Sequence, residues 1–254
     1  MARYFLECAY KGTRYSGFQV QENAITVQAE IEKAFQTFQR TPVQLTGSSR
    51  TDAGVHALQN FFHFDFDNTI HPQAIYKMNA ILPDDIVIKN IIPMPVDSHS
   101  RFDAQSREYE YSIHRVKDPL LKDRSLYYPY KLDFNVMAEA AAFIKSQQNF
   151  FPFSKTNTQV KNFNCTIIKS DWSFNEEQIS YTIEANRFLR GMVRLVTATF
   201  LKLGRGKLSF HEFKSLFDSN RKCGYSIPAH GLYLKRVKYP ENYFPITIKR
   251  FTEF

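Results

Sequence analysis

The sequence predicts an α+β protein made of two ferredoxin-like domains, each a βαββαβ unit with helices on one face of an antiparallel sheet. Three observations carry this. Apolar residues switch between a period of 2 and a period of 3.6 in the same order twice along the chain. Pro93-Met94-Pro95 punctuates the two series. The length, 254 residues, is close to the size at which a single core divides.

In the first series, Tyr4 to Tyr10 is strand-like and closes at Lys11-Gly12. Val27, Ile31, Ala34, Phe35 and Phe38 then form one helical stripe, with Thr26 in the N-cap position. Val43 to Thr46 and Leu58 to Phe66 alternate as strands, and Gly47 to Gly54 between them has loop composition. Pro72 opens a helix running to about Leu82, and Ile86 to Ile92 is a strand. The proline cluster sets a boundary that gives domains of residues 1–97 and 98–254.

The second series opens with a strand at Tyr109 to His114. Asp133 caps a helix carrying Val136, Met137, Ala140, Ala141 and Ile144. Phe163 to Phe174 and Gln178 to Ala185 form a hairpin around Asn175-Glu176-Glu177. A helix from about Phe188 to Leu203 stops at Gly204, and Gly231 to Tyr239 is the last strand. Ser209 to Glu212 matches a capping box, which inserts an extra helix before that strand. The open sheet faces would together form a cleft.

With 43% hydrophobic and 23% charged residues, 9 Gly and 11 Pro, the chain is neither disordered nor collagen-like. Charge is uneven. Residues 1–97 hold 8 basic and 10 acidic side chains of the 33 and 25 in the chain, leaving a net of +10 for residues 98–254. A polyanion such as nucleic acid is the partner this asymmetry fits, although a solvated basic surface would look the same. Cys8, Cys165 and Cys223 are far apart with no CxxC pair, so reduced thiols are expected rather than disulfides or a structural zinc site. The seven histidines show no metal-ligand spacing, and no metal is expected. The acid at Glu7 and the lack of a long uncharged apolar run predict a soluble, cytoplasmic protein with no membrane partner.

Arg50-Thr51-Asp52-Ala53-Gly54-Val55-His56 is the most informative stretch. It reads as an Asx turn in which Gly54 takes a left-handed conformation. It also reads as a rigid loop that holds one carboxylate out as a nucleophile or base.

From Gly47 to Ala57, GSSRTDAGVHA closely resembles the active-site motif of the tRNA pseudouridine synthase A family. Tyr10-Lys11-Gly12 through Ser16-Gly17-Phe18-Gln19 resembles its N-terminal element, and Asn79 to Pro83 its N-A-x-L-P. Arg101-Phe102-Asp103-Ala104 with Arg107 to Tyr111, Asn186 to Arg194, and Gly231 to Leu234 resemble three further motifs in the family's order. The resemblance implies isomerisation of uridine to pseudouridine in tRNA, at positions 38 to 40 of the anticodon stem-loop, by a homodimer that needs no cofactor. It implies that Asp52 is the essential aspartate, that Tyr109 stacks on the target uracil, and that Arg194 pairs with Asp52. A guanidinium beside a sheltered carboxylate keeps it ionised, and an aromatic ring replaces the stacking a flipped base loses.

Other readings stay open. Tyr109 on an alternating strand would also serve as core. Arg187, Arg190 and Arg194 fall at spacings of 3 and 4, a row that on a helix is commonly a solvated face; with the resemblance, Arg187 and Arg190 become candidate phosphate contacts. Arg50 would either orient Asp52 or bind a phosphate. Lys202, Arg205 and Lys207 read as an exposed loop that could meet an RNA backbone. Three positions depart from the family's pattern: Ser48-Ser49, Arg190-Gly191, and Ser146 to Phe153, where a glycine and an acid are missing. A non-catalytic tRNA-binding protein and a synthase with another RNA target are the alternatives.

Overall fold

The computed structural model describes residues 1–156, 160–175 and 178–245, so Glu176 and Glu177 of the expected hairpin turn lie outside the described residues. In chain order its elements are β1 (Ala2–Tyr10), α1 (Val27–Gln39), β2 (Thr46–Gly47), β3 (His56–Phe66), α2 (Ala74–Ile81), β4 (Ile86–Met94), β5 (Ser106–His114), β6 (Leu126–Tyr127), α3 (Phe134–Phe143), β7 (Ile167–Phe174), β8 (Gln178–Ala185), α4 (Met192–Gly204), α5 (Phe210–Ser215) and β9 (Leu232–Lys238). The structure is mixed α/β with mostly antiparallel strand pairing. It divides into two compact units, Met1–Gln105 with the chain from Leu234 onward, and Ser106–Tyr233. This differs from a division at residue 97. β4 runs through Pro93 because it is an edge strand, where a missing N–H costs no ladder bond.

In the first unit, β1 pairs with β4 on one side and β3 on the other, and β2 and β9 both neighbour β3. The α1 stripe is buried at Val27, Ile31, Ala34 and Phe35, and Thr26 caps the helix by accepting from the Ala29 N–H. Phe35 meets Phe64 and Phe66 edge-on at 5.2 Å, which seats the helix on the sheet. The strand expected at Val43 to Thr46 shrinks to β2 because side chains of α1 take its backbone groups. Leu45 N–H donates to the Glu32 carboxylate (2.9 Å), and Gln28 donates to the Leu45 carbonyl (2.8 Å). α2 starts at Ala74, two residues after Pro72.

In the second unit, β5 and β7 flank β8, and β6 lies parallel to β5. Asp133 caps α3, accepting from the Asn135 and Val136 N–H groups, and Ser209 and Glu212 form the capping box of α5. The strand expected from Phe163 begins only at Ile167, because Phe163 and Cys165 bond the Gln148 to Phe150 segment instead. That atypical segment is a packing element. Phe150 and Phe153 are fully buried and both meet Phe217, and Asn149 accepts the Phe151 N–H where an acid was expected.

α4 begins at Met192 rather than Phe188. Gly191 stands before it at φ +73°, a left-handed conformation that breaks the helical path. Arg187 and Arg190 therefore precede the helix, which corrects the expectation that they share a helix face with Arg194. The helix includes Gly204. A Cβ there would sit 2.4 Å from Met137 Sδ, so the glycine lets α3 and α4 approach.

Candidate active site

Asp52 lies on the loop between β2 and β3, and the loop is braced from beneath. The neighbouring Thr51 is buried and shares a hydrogen bond of 2.9 Å with the Tyr10 hydroxyl at the end of β1. Asn60, fully buried on β3, donates to that hydroxyl (3.2 Å) and to the Ser49 carbonyl (3.1 Å), and accepts from Ser48 Oγ (2.9 Å). Backbone bonds add Phe18 N–H to Thr51 O (3.2 Å) and Gly54 N–H to Tyr15 O (3.3 Å). Val55 N–H closes the turn on Asp52 O (3.1 Å), with Gly54 at φ +79°. Gly12 lies so close that a Cβ would sit 1.9 Å from Val55 O, and its N–H donates to His56 Nδ1 (3.0 Å).

Asp52 is half-buried at the start of the turn, between the buried Thr51 and the exposed Ala53. Arg50 is exposed and makes no ion pair among the described residues.

The second unit carries the other expected residues. Tyr109 is buried on β5, and Phe188 meets it edge-on at 5.0 Å. Tyr111, two residues on and therefore on the same face, is fully buried and donates to the Pro228 carbonyl (2.8 Å). Burial pushes the Tyr111 phenol well above its ordinary range, and the nearby Arg194 guanidinium opposes that shift. Arg194 is half-buried in the first turn of α4, and its Nε donates to the Ile227 carbonyl (2.7 Å). Tyr111 and Arg194 thus meet against the segment of Ile227 and Pro228. Arg187 is half-buried and Arg190 exposed in the loop before the helix, and the Arg190 carbonyl accepts from Lys155 N–H (3.3 Å).

Sequence reasoning missed the bracing residues Tyr10, Thr51, Ser48 and Asn60. Asn60 in particular leaves a signal: it is an amide inside an otherwise aromatic strand, Asn60-Phe61-Phe62, where a buried polar group needs partners.

Residues 8–103 and 147–240 match the sequence profile of a family described as tRNA pseudouridine synthase. The chain belongs to the tRNA pseudouridine synthase family. It is 40% identical over 250 residues to the tRNA pseudouridine synthase A of Parabacteroides distasonis, covering 97% of this chain and 99% of that protein. Identity to the tRNA pseudouridine synthase A of Porphyromonas gingivalis is 43% over 251 residues, covering 96% of this chain and 100% of that protein. For the tRNA pseudouridine synthase A of a Staphylococcus aureus strain it is 35% over 245 residues, covering 94% and 93%. Within the family match, Arg50 and Asp52 fall in the first segment and Arg187, Arg190 and Arg194 in the second, while Tyr109 lies between the two.

Proposed function

We propose that this protein isomerises uridine to pseudouridine in tRNA, at positions 38 to 40 of the anticodon stem-loop, with Asp52 as the catalytic group. The observation that carries the proposal is the bracing of the Asp52 loop: a buried polar network and close backbone packing fix the backbone that carries a single carboxylate at the start of a turn. Pure RNA binding gains nothing from a rigidly presented anion.

The reaction breaks the bond from ribose C1′ to uracil N1, joins C1′ to uracil C5, moves the C5 proton away and leaves N1 protonated. Electrons balance without a redox partner. A carboxylate can serve it by attack on the sugar, by attack on the ring or by removing a sugar proton. Arg194, anchored by Ile227, would supply the positive charge, and Tyr109 the aromatic surface for the flipped uracil. Arg50, exposed beside the loop, fits a phosphate contact better than an orienting role, and Arg187 and Arg190 are proposed as further phosphate contacts.

The family resemblance extends the proposal to a homodimer acting in the cytoplasm. In the first unit β1 lies between β4 and β3, with the two-residue β2 also paired to β3, and in the second β8 lies between β5 and β7; these antiparallel arrangements support reading both as ferredoxin-like.

The test is tritium release from tRNA labelled at uracil C5, for the parent and for Asp52→Asn, with filter binding of both. Release by the parent alone, with tRNA still bound by the variant, supports the proposal. Binding by both without release by either, across the tRNAs tried, overturns it in favour of a tRNA-binding protein.

A further inference from the structure

We propose that a patch on the second unit, built from Tyr130, Arg205, Tyr225 and Lys202, binds unpaired nucleotides of an RNA by stacking and phosphate contact, outside the Asp52 loop. The proposal deepens the reading above and rests on it for the RNA's identity. The Arg205 guanidinium lies 3.8 Å over the Tyr130 ring centroid. Tyr128 meets the Tyr130 ring edge-on at 5.0 Å. Lys202 Nζ, one turn before Arg205, stands 5.0 Å from the Tyr225 ring centroid.

Two features hold it together. Asp133 N–H donates to Gly204 O (2.7 Å), and Gly204 leaves room for Leu132 and Met137, which draws the Tyr128 to Asp133 segment under the end of α4. Tyr130 and Tyr225 are nonetheless 48% and 52% exposed, although burying a tyrosine face is favourable.

A cation that merely complements a helix C-terminus requires no ordered tyrosine beneath it. Among the described residues, no carboxylate lies in ion-pair reach of Lys202, Arg205 or Lys207. Aromatic faces held in place by cations, with uncompensated positive charge around them, suit bases that are free to stack joined by phosphates that are free to pair.

The test measures binding of the full protein to an unmodified tRNA transcript, a 12-nucleotide oligouridylate and a blunt RNA duplex, by fluorescence anisotropy. Tyr130→Leu should raise Kd for tRNA and oligouridylate about 10-fold while leaving the duplex unchanged, and Tyr130→Phe should bind like the parent. Lys202→Gln, at an exposed position, should weaken binding to all three and reduce the salt slope by about 1. In each variant kcat at saturating tRNA should equal the parent's. Parental affinity of Tyr130→Leu for oligouridylate overturns the proposal, as does an equal loss on the duplex, or polyglutamate binding as tightly as oligouridylate. Tritium release by the parent with parental binding by Tyr130→Leu removes the patch and leaves the proposed reaction. Loss of oligouridylate binding by Tyr130→Leu, with no release by the parent, does the reverse.

Discussion

The Tyr10 hydroxyl and Thr51 Oγ1 share a buried hydrogen bond of 2.9 Å, which ties the end of β1 to the residue before Asp52. Tyr10→Phe removes the hydroxyl and leaves Thr51 and Asn60 each short of a partner. Stability should fall by about 1–3 kcal/mol, the cost of stranding buried polar groups. A loosened loop should lower kcat about 10-fold with KM little changed, since misplacing a reacting group costs rate rather than affinity. Urea unfolding and steady-state kinetics on tRNA check both.

Gly12 makes a closer demand. A methyl group 1.9 Å from the Val55 carbonyl meets backbone, which cannot swing aside, so Gly12→Ala must displace the turn that holds Asp52. We expect a loss of about 1–3 kcal/mol in stability and a fall in kcat larger than for Tyr10→Phe. Gly224→Ala, with nothing within 4 Å of the new methyl, should leave kcat unchanged.

His63 predicts a pH dependence. Its Nδ1 accepts from Ser100 N–H (3.2 Å) and lies 2.9 Å from Ser100 Oγ, while that hydroxyl donates to Thr46 O (2.9 Å). Burial, with His99 and Arg3 nearby, pushes the imidazole down to about 4. The folded state therefore binds its proton later than the unfolded chain. The stability of the neutral form is complete above about pH 6.5 and is lost as pH falls from there toward about 4. The loss should be on the order of 3 kcal/mol. Urea midpoints at pH 7 and pH 4.5 should differ less for His63→Gln than for the parent.

Gly204→Ala places a methyl 2.4 Å from Met137 Sδ and 3.1 Å from Leu132. Met137 is flexible and can yield, so the loss should be about 1 kcal/mol, partly offset by better helix propensity. The shift of the Leu132 segment should still raise Kd for tRNA, measured by anisotropy, without changing kcat.

Local signals were the legible ones. Thr26, Asp133 and Ser209 each place a cap within a few residues of the groups they satisfy, and each caps the helix expected of it. The order of strands and helices follows from periodicity, and the Asp52 loop from its motif. What was not legible depends on distant partners. β2 is short because Glu32 and Gln28, on a helix earlier in the chain, capture the backbone of Leu45. The start of α4 turns on the backbone angle of one glycine, so a row of arginines with helical spacing is split between loop and helix. The brace under Asp52 joins Tyr10 to Thr51 across 41 positions, a relation that no local pattern contains.

Only Arg194 and Lys202 of the thirteen residues of α4 escape burial. Amide hydrogens of so enclosed a helix exchange with solvent only when the whole unit opens, whereas loops near the surface open piecemeal. Warming short of the melting point should therefore leave the mounting of Arg194 intact. The eight-residue spacing of those two cations, about 12 Å along the helix axis, should persist until the unit itself is lost.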